Sequence, residues 1–465
     1  MNHQTSNPAR EDYLYSLAVQ ACVYAWPLFE MHRMRSATSA RKAQGQGFAG
    51  DRPESLQRWC NLFTHERALL TAGKSRVVMP NNDTLYANAW LDLSQQPLVI
   101  SMPDTGSRYY VLGFLDYYTN PFAHLGTRTT GNRARSVLVS GPGWSGEVPE
   151  AFQAEGCHVR SSTDWVWIIG RILVDGVPDV PEVNALQDQF SMQTLSDWRA
   201  GRPSPARRFD ARFEARAPLT GSRFRAMVND AMAHCPPPSS DALLVAQFKP
   251  LGLGVGAQET GECPDPVADH ALERALATVQ TMLQGSEASV FGASDDADIL
   301  ARGPAWRMPA YLGESFGHKL LRRAFVARQG IGQLSTAEAA YLRCETDSLG
   351  QQLQGRRRYV MRFGPDQMPP VGAFWSITLY RSSDYFLVEN PIERYSIGDR
   401  TPGLVRDDDG GLTLTIAAQA PLDARSQANW LPSCEEAFFL CLRAYLPLPP
   451  LLDGTYQLPV PEVAS

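Results

Sequence analysis

Much of what this sequence does without is informative. No apolar run among its 465 residues approaches the ~18 that a membrane-spanning helix needs. The best candidate, WVWIIGRILV, is short and is broken by Arg171. A basic excess is missing too: 43 lysines and arginines against 49 aspartates and glutamates leave a net charge of -6, which argues against non-specific nucleic-acid binding. There is no C-x-x-C pair. The eight cysteines, at 22, 60, 157, 235, 263, 344, 434 and 441, are scattered, so neither a zinc knuckle nor a redox pair is signalled. Reduced, mostly buried thiols are expected instead. The N-terminus, MNHQTSNPAREDY, has no charged-then-apolar leader pattern, so a cytoplasmic protein is expected.

Familiar catalytic signatures are scarce. H-E-x-x-H, the P-loop and a G-x-G-x-x-G between strand and helix do not occur. Gly313-Glu314-Ser315-Phe316-Gly317 matches G-x-S-x-G, but the preceding PAYL is too short for the buried strand of a nucleophile elbow. A glycine-rich helix start explains it. GLGVG at 252–256 is a lone glycine loop, and the histidines are dispersed, so no local metal motif appears. No cofactor is expected. The expected partner is a small-molecule ligand or substrate, with no nucleic acid and no membrane, and with a homo-oligomer left open.

The hydrophobic share of 44% and charged share of 20% are those of an ordinary globular chain, and the length corresponds to two to four domains at roughly 150 residues each. Residues 11–26 carry the apolar spacing of a helix that Pro27 should end or kink. A second helix is expected over Glu54 to Ala72, ended by Gly73 and Lys74. From Arg76 to Asp175, RVVM, LYANAWLDL, LVISMP, YYVLGFLDYY, SVLVSGP and CHVRSSTDWVWIIGRILVD read as short strands between turns. Residues 176–350 read as a helical region with proline clusters between helices. Strands return after Gly355 as RYVMRF, AFWSITLY, YFLVEN, RYSIG, LTLTIAA and AFFLCLRAYL. RDDDGGL reads as a hairpin turn rather than a calcium loop, which would need a glutamate at its twelfth position. The expected fold is therefore α+β: N-terminal helices over 1–75, a first antiparallel β-sandwich or jelly-roll-like domain over 76–175, the helical region over 176–350 and a second such domain over 351–465.

Polar and aromatic side chains concentrate between Pro80 and Arg133. Asp83 follows Asn81 and Asn82 and precedes Tyr86; turn chemistry explains this run as well as a place at a sandwich mouth does. Asp116 and Tyr118 fall on one face of a strand by alternation, with Tyr117 on the other. A carboxylate desolvated beside phenols would serve as a general base or acid; the plainer reading is a cap on the strand end. His124 would carry protons near neutral pH, and Arg128 would clamp an anion in a bidentate fork. Otherwise His124 bonds loop carbonyls and Arg128 pairs with Asp116. A second cluster, Trp375, Tyr380, Tyr385, Arg400 and Trp430, would supply aromatic walls and binding groups; its alternative is buried aromatics and structural ion pairs.

Several of these segments resemble a known family pair. YAWPLFEMHRM, PNNDTLYANAWLDL, YYVLGFLDYYTNPFAHLGTRTTGNRARSVLVSGPGW and DWVWIIGRILVDG are similar to bacterial proteins carrying the domain of unknown function 1254. GRRRYVMRF, FWSITLYRSSDYFLVENPIERYSIGDR, ANWLPS and FFLCLRAYLP resemble its habitual partner, domain of unknown function 1214. The resemblance implies two sandwich-like domains joined by a helical region and carries no reaction. Many relatives look exported, a pattern from which this N-terminus departs.

The expected function is an acid–base enzyme, a lyase, isomerase or hydrolase, acting on a small organic substrate between the β domains. Asp83, Asp116, Tyr118, His124 and Arg128 would be catalytic. Asn82, Tyr86, Trp375, Tyr380, Tyr385, Arg400 and Trp430 would bind substrate. Alternatives are a non-catalytic ligand-binding or assembly protein, and a hydrolase using a metal held by His124, Asp83 and Asp116.

Overall fold

The computed structural model describes residues 7–45, 56–74, 79–258, 260–263, 265–285, 299–309 and 312–464. Its first element, helix α1, runs from Pro8 to Thr38. Asn7 caps it by accepting the Ala9 N–H at 3.2 Å, and Pro8 occupies the first turn, where a missing donor costs nothing. Pro27 lies inside this helix and does not end it, one of the two outcomes expected for it. Trp26 to Met31 are all buried, so packing on every side holds the turn together. The Tyr24 carbonyl, next to the gap in the ladder, accepts from Arg323 Nη2 at 3.3 Å.

Eleven strands follow: β1 (Gln57–Cys60), β2 (Phe63–His65), β3 (Thr84–Asp92), β4 (Leu98–Met102), β5 (Tyr110–Leu115), β6 (Ala123–Gly126), β7 (Arg135–Ser140), β8 (His158–Arg160), β9 (Trp165–Leu173), β10 (Ser191–Thr194) and β11 (Arg207–Asp210). Of the helix expected over Glu54–Ala72, residues 54 and 55 lie outside the described residues and the rest holds β1 and β2 instead. Pairing with β11 and β3 outweighs the local helix signal. The expected strand RVVM lies, Met79 apart, outside the described residues. β2-β3-β9-β5-β6 form one sheet and β10-β4-β7-β8 another. All pairs are antiparallel except β7 with β8. Leu85, Leu112, Ile168 and Ile172 of the first sheet share a core with Leu98, Ile100, Val137 and Val139 of the second.

Ten further strands complete the chain: β12 (Ile299–Arg302), β13 (Trp306–Pro309), β14 (Ala339–Cys344), β15 (Tyr359–Phe363), β16 (Val371–Arg381), β17 (Ser396–Gly398), β18 (Leu412–Ala417), β19 (Trp430–Pro432), β20 (Phe438–Pro447) and β21 (Glu462–Val463). They form a six-stranded sheet, β12-β13-β14-β20-β16-β17, and a four-stranded one, β19-β18-β15-β21. Trp375, Ile377, Leu440 and Leu442 meet Tyr359, Met361, Leu414 and Ile416 in their common core. The mixed α+β class is therefore the one expected, with differences in detail. Five strands, β10 to β14, lie within the stretch read as helical, and β14 is a central strand beside β20. YFLVEN is irregular apart from a single bridge, because Tyr385 sits at positive φ. RDDDGGL is a turn with Gly410 at φ +88, but it is no hairpin, since β17 and β18 belong to different sheets.

The outer face of the β2-β3-β9-β5-β6 sheet organises the rest. Trp90, Trp165, Trp167 and Leu115 line one end of it, packed against α1 and the helices Gly221–His234, Pro266–Gln284 and Leu320–Gln329. Tyr109, Val111 and Leu173 line the other end, against Ala339, Phe374 and Tyr445 of the six-stranded sheet. A Cβ on Gly113 would sit 2.3 Å from Leu334, so the segment before β14 lies directly on this face. Among the described residues no helix is long and apolar enough to cross a membrane.

Residues 79–83 clasp the two β units together. Tyr380 donates its phenol to the Pro80 carbonyl at 2.6 Å, Arg443 Nη2 reaches the Met79 carbonyl at 2.9 Å, and Asn81 Nδ2 bonds the Tyr445 hydroxyl. Tyr380 is fully buried, so Tyr380→Phe leaves a carbonyl without its donor. Urea unfolding of this variant should report a loss of about 1–3 kcal/mol; an unchanged midpoint would mean the clasp contributes nothing.

Candidate functional site

Two faces meet between the β units, and register decides what each presents. On the first, Tyr86 of β3 stands opposite Arg171 of β9. On the second, Tyr341 of β14, Arg443 of β20 and Ser376 of β16 form one row, with Tyr445 and Phe374 in the next. Directly opposite residues share a face of a sheet. The Arg171 guanidinium lies over the Tyr86 ring at 5.6 Å. Tyr445 stacks on Phe374 at 4.2 Å, and Tyr109 meets both rings at 5.3 and 5.6 Å.

Arg171 is 6% exposed and forms no ion pair among the described residues. Its Nη2 donates to the Gly332 carbonyl at 3.0 Å, whereas its buried Nη1 has no partner. The buried Tyr341 hydroxyl is likewise without one. Arg443 is engaged by contrast: its Nη1 donates to Thr378 Oγ1 at 2.9 Å and its Nη2 to Met79. Burial holds the Tyr86, Tyr109 and Tyr445 phenols above their usual range, with the nearby guanidinium of Arg171 opposing it, so all three stay neutral donors. Glu66, just past β2, binds the Tyr86 carbonyl through its own N–H at 2.9 Å. Burial pushes its carboxyl up to about 7, and its charge acts on the Tyr86 phenol.

The residues singled out from the sequence divide into three groups. Asp83, Asn82, Tyr86, His124, Arg128, Tyr380, Tyr385 and Arg400 lie at or beside the junction. The Asp83 carboxylate accepts from Ser396 Oγ at 2.8 Å and from Ser376 Oγ. Asn82 Nδ2 donates to the Leu70 carbonyl. Arg128 pairs with Glu338 at 2.7 Å rather than with Asp116, and Glu338 also accepts the Tyr109 hydroxyl at 2.8 Å. Tyr385 receives the Met79 N–H at its carbonyl at 2.9 Å, with its ring beside Arg343. Arg400 forks onto the exposed Asp175 carboxylate.

Trp375 and Trp430 face elsewhere. Trp375 points into the core of the second unit, where alternation along β16 places it with Ile377 and Leu379. Trp430 is buried on β19, its indole donating to the Ala417 carbonyl at 2.8 Å.

Asp116 and Tyr118 stand at the helical end of the first sheet. β5 stops at Leu115, so the alternation expected for 116–118 does not apply: both Tyr117 and Tyr118 enter the core shared with α1. Asp116 caps the turn that follows, accepting the Tyr118 and Asn120 N–H groups, both at 2.9 Å, and the Ser162 hydroxyl at 3.0 Å, while Thr119 takes φ +67. Burial raises its pKa and these bonds oppose the rise. Tyr118 donates to the Cys235 carbonyl at 3.1 Å.

Arg171, Tyr341, Arg443, Tyr445 and Glu66 are absent from the sequence-derived site. A single arginine inside an otherwise apolar strand, as in WVWIIGRILV and AFFLCLRAYL, was the available signal for two of them. Among the described residues, no group of three His, Cys, Asp or Glu side chains could hold a metal.

Residues 60–194 match the family described as Protein of unknown function (DUF1254), and residues 338–449 match Protein of unknown function (DUF1214). Glu66, Tyr86 and Arg171 fall in the first region, and Tyr341, Arg443 and Tyr445 in the second. The crystal structure of the VPA0106 protein from Vibrio parahaemolyticus aligns over 97% of this chain and 100% of its own, with a TM-score of 0.68 and 24% identity, a likeness of fold. An uncharacterized protein from Burkholderia cenocepacia aligns over 98% of this chain and 95% of its own, with a TM-score of 0.41 and 14% identity. No curated protein matches the sequence.

His124 offers a clean measurement here. It lies on β6, and its Nε2, the lone pair a base would use, accepts the Ser335 N–H at 3.2 Å. Burial, followed by the charges of Arg128 and Arg171, lowers its pKa to about 3. The unfolded imidazole takes a proton near pH 6.5, so this residue's contribution is present above that pH and is lost as pH falls toward 3. Relative to wild type, His124→Gln should gain about 2 kcal/mol between pH 7.5 and 5.0 in urea unfolding. A constant difference across that range would contradict a neutral, buried His124.

Proposed function

Because this chain joins a DUF1254 region to a DUF1214 region, we propose that their junction is a working site, and that the protein is an acid–base enzyme acting there on a small organic anion. Each β unit is taken as a two-sheet sandwich, with the ligand between them. The observation that carries the proposal is the setting of Glu66. Burial pushes its carboxyl up to about 7, its N–H holds the Tyr86 carbonyl at 2.9 Å, and its charge acts on the Tyr86 phenol, whose residue stands opposite Arg171. A carboxylate with a pKa near the working pH is suited to take a proton and return it. In this reading Glu66 is the base, Tyr86 orients or protonates the reacting group, and Arg171 holds the negative charge.

This replaces Asp116 and His124 as bases, since the acceptor atoms of both are already engaged within the protein. Asp83 and Arg128 become supports, holding the junction through Ser376, Ser396 and Glu338. A binding protein would need only Arg171 and Tyr341; a carboxyl raised to about 7 next to a phenol favours proton transfer.

Deuterium wash-in from D2O into a panel of small organic acids, followed by proton NMR, tests the proposal whatever product the full reaction forms. The exchange rate should fall tenfold per pH unit below about 7, because the ionised form of Glu66 is the active one. Glu66→Gln should slow exchange by roughly 100-fold or more, and Tyr86→Phe by less. Exchange by Glu66→Gln at the wild-type rate would remove Glu66 from the chemistry.

A further inference from the structure

The chemistry of the anion can be taken further, resting on the reading of the junction given above. Some buried guanidinium groups of this protein are met by the fold. Arg225 is fully buried and donates to the Leu251 and Gly261 carbonyls at 2.9 and 2.5 Å and to Asp269 at 2.8 Å. Arg443 has Thr378 and the Met79 carbonyl. Arg171 is not met in that way. It is nine-tenths buried, has one carbonyl on Nη2, and carries no carboxylate partner among the described residues. A guanidinium left in that state is costly unless an anion completes it.

Two donors stand unused in this cluster, Arg171 Nη1 and the Tyr341 hydroxyl. Tyr341 packs against the cluster of Tyr109, Val111 and Leu173, and Arg171 stands opposite both Tyr86 and Val111, so the two belong to one junction. Two donors and one uncompensated charge suit the two oxygens of a single carboxylate. A phosphate brings a tetrahedral array of acceptors and more charge than this cluster balances, because the second guanidinium, Arg443, is already committed. The rings of Tyr86, Tyr445 and Phe374 are the surfaces against which an organic remainder would lie.

We infer that the junction is a monocarboxylate site, with Arg171 Nη1 and the Tyr341 hydroxyl each donating to one oxygen of the carboxylate.

Isothermal titration calorimetry on the full-length protein in chloride-free buffer tests this, with acetate, benzoate, inorganic phosphate and neutral acetamide as probes. Acetate or benzoate should bind, phosphate at least tenfold more weakly, and acetamide not at all. Arg171→Lys keeps the charge but not the planar fork, and should weaken carboxylate binding at least tenfold. Tyr341→Phe removes only a hydroxyl from a half-buried ring, so it should fold even if the arginine variant does not, and it should weaken binding several-fold. Carboxylate affinity unchanged in Tyr341→Phe, or binding of phosphate in preference to carboxylates, would overturn the assignment while leaving Glu66 as the base. Conversely, Glu66→Gln should retain carboxylate binding. If that variant both binds acetate as wild type does and exchanges protons at the wild-type rate, the enzymatic reading fails and the carboxylate site stands.

Discussion

One surface constrains this molecule more than any other: the outer face of the β2-β3-β9-β5-β6 sheet. It mixes large rings with a cation, and neither kind of group is comfortable in water or in a plain apolar core. Trp90, Trp165 and Trp167 at one end need an apolar cover, and the helices supply it. Tyr86, Arg171 and Tyr109 at the other end need a cover that can also hydrogen-bond, and the six-stranded sheet supplies Tyr341, Arg443 and Tyr445. The order of the chain follows from this division. A sheet with two kinds of cover requires both a helical segment and a second β unit, and the sequence provides them one after the other.

The junction is a polar interface built to different standards on its two sides. Around Glu338 the network is complete: Tyr109 donates to one oxygen and Arg128 to the other, with the carboxylate 1% exposed. Around Asp83 it is also complete, through two serine hydroxyls. These closed networks hold register between the units, as buried polar groups do once every member is satisfied. The network of Arg171 and Tyr341 in the same junction is open.

The strands of both cores could be read from the sequence because alternation and apolar runs report burial directly. LYANAWLDL, YYVLGFL, WVWIIGRIL, AFWSITLY and AFFLCLRAYL all became strands. The β1–β2 region could not, since four-residue strands carry too little pattern to outweigh a local helix signal. That error hid Glu66, which sits immediately after β2. The site was half legible. Asp83, Tyr86, His124 and Arg128 do come to the junction, but sequence cannot tell a capping Asp116 from a catalytic one, because both look like an aspartate after an apolar strand. Trp375 was misplaced by a single step of alternation: it and Ser376 are neighbours in sequence and face opposite sides of β16. Arg171 was visible all along as the one charge in an apolar strand. Its meaning lay in strands more than 150 residues away, and no local pattern records that.

The placement of β20 has a bearing on how the protein is made. It lies between β14 and β16, so the six-stranded sheet has no centre until residues 438–447 leave the ribosome. The first unit is synthesised long before, with Tyr109, Arg171 and the clasp residues still uncovered. At 5–20 residues per second the delay is on the order of tens of seconds. For that interval the nascent chain displays a half-interface with nothing to close it.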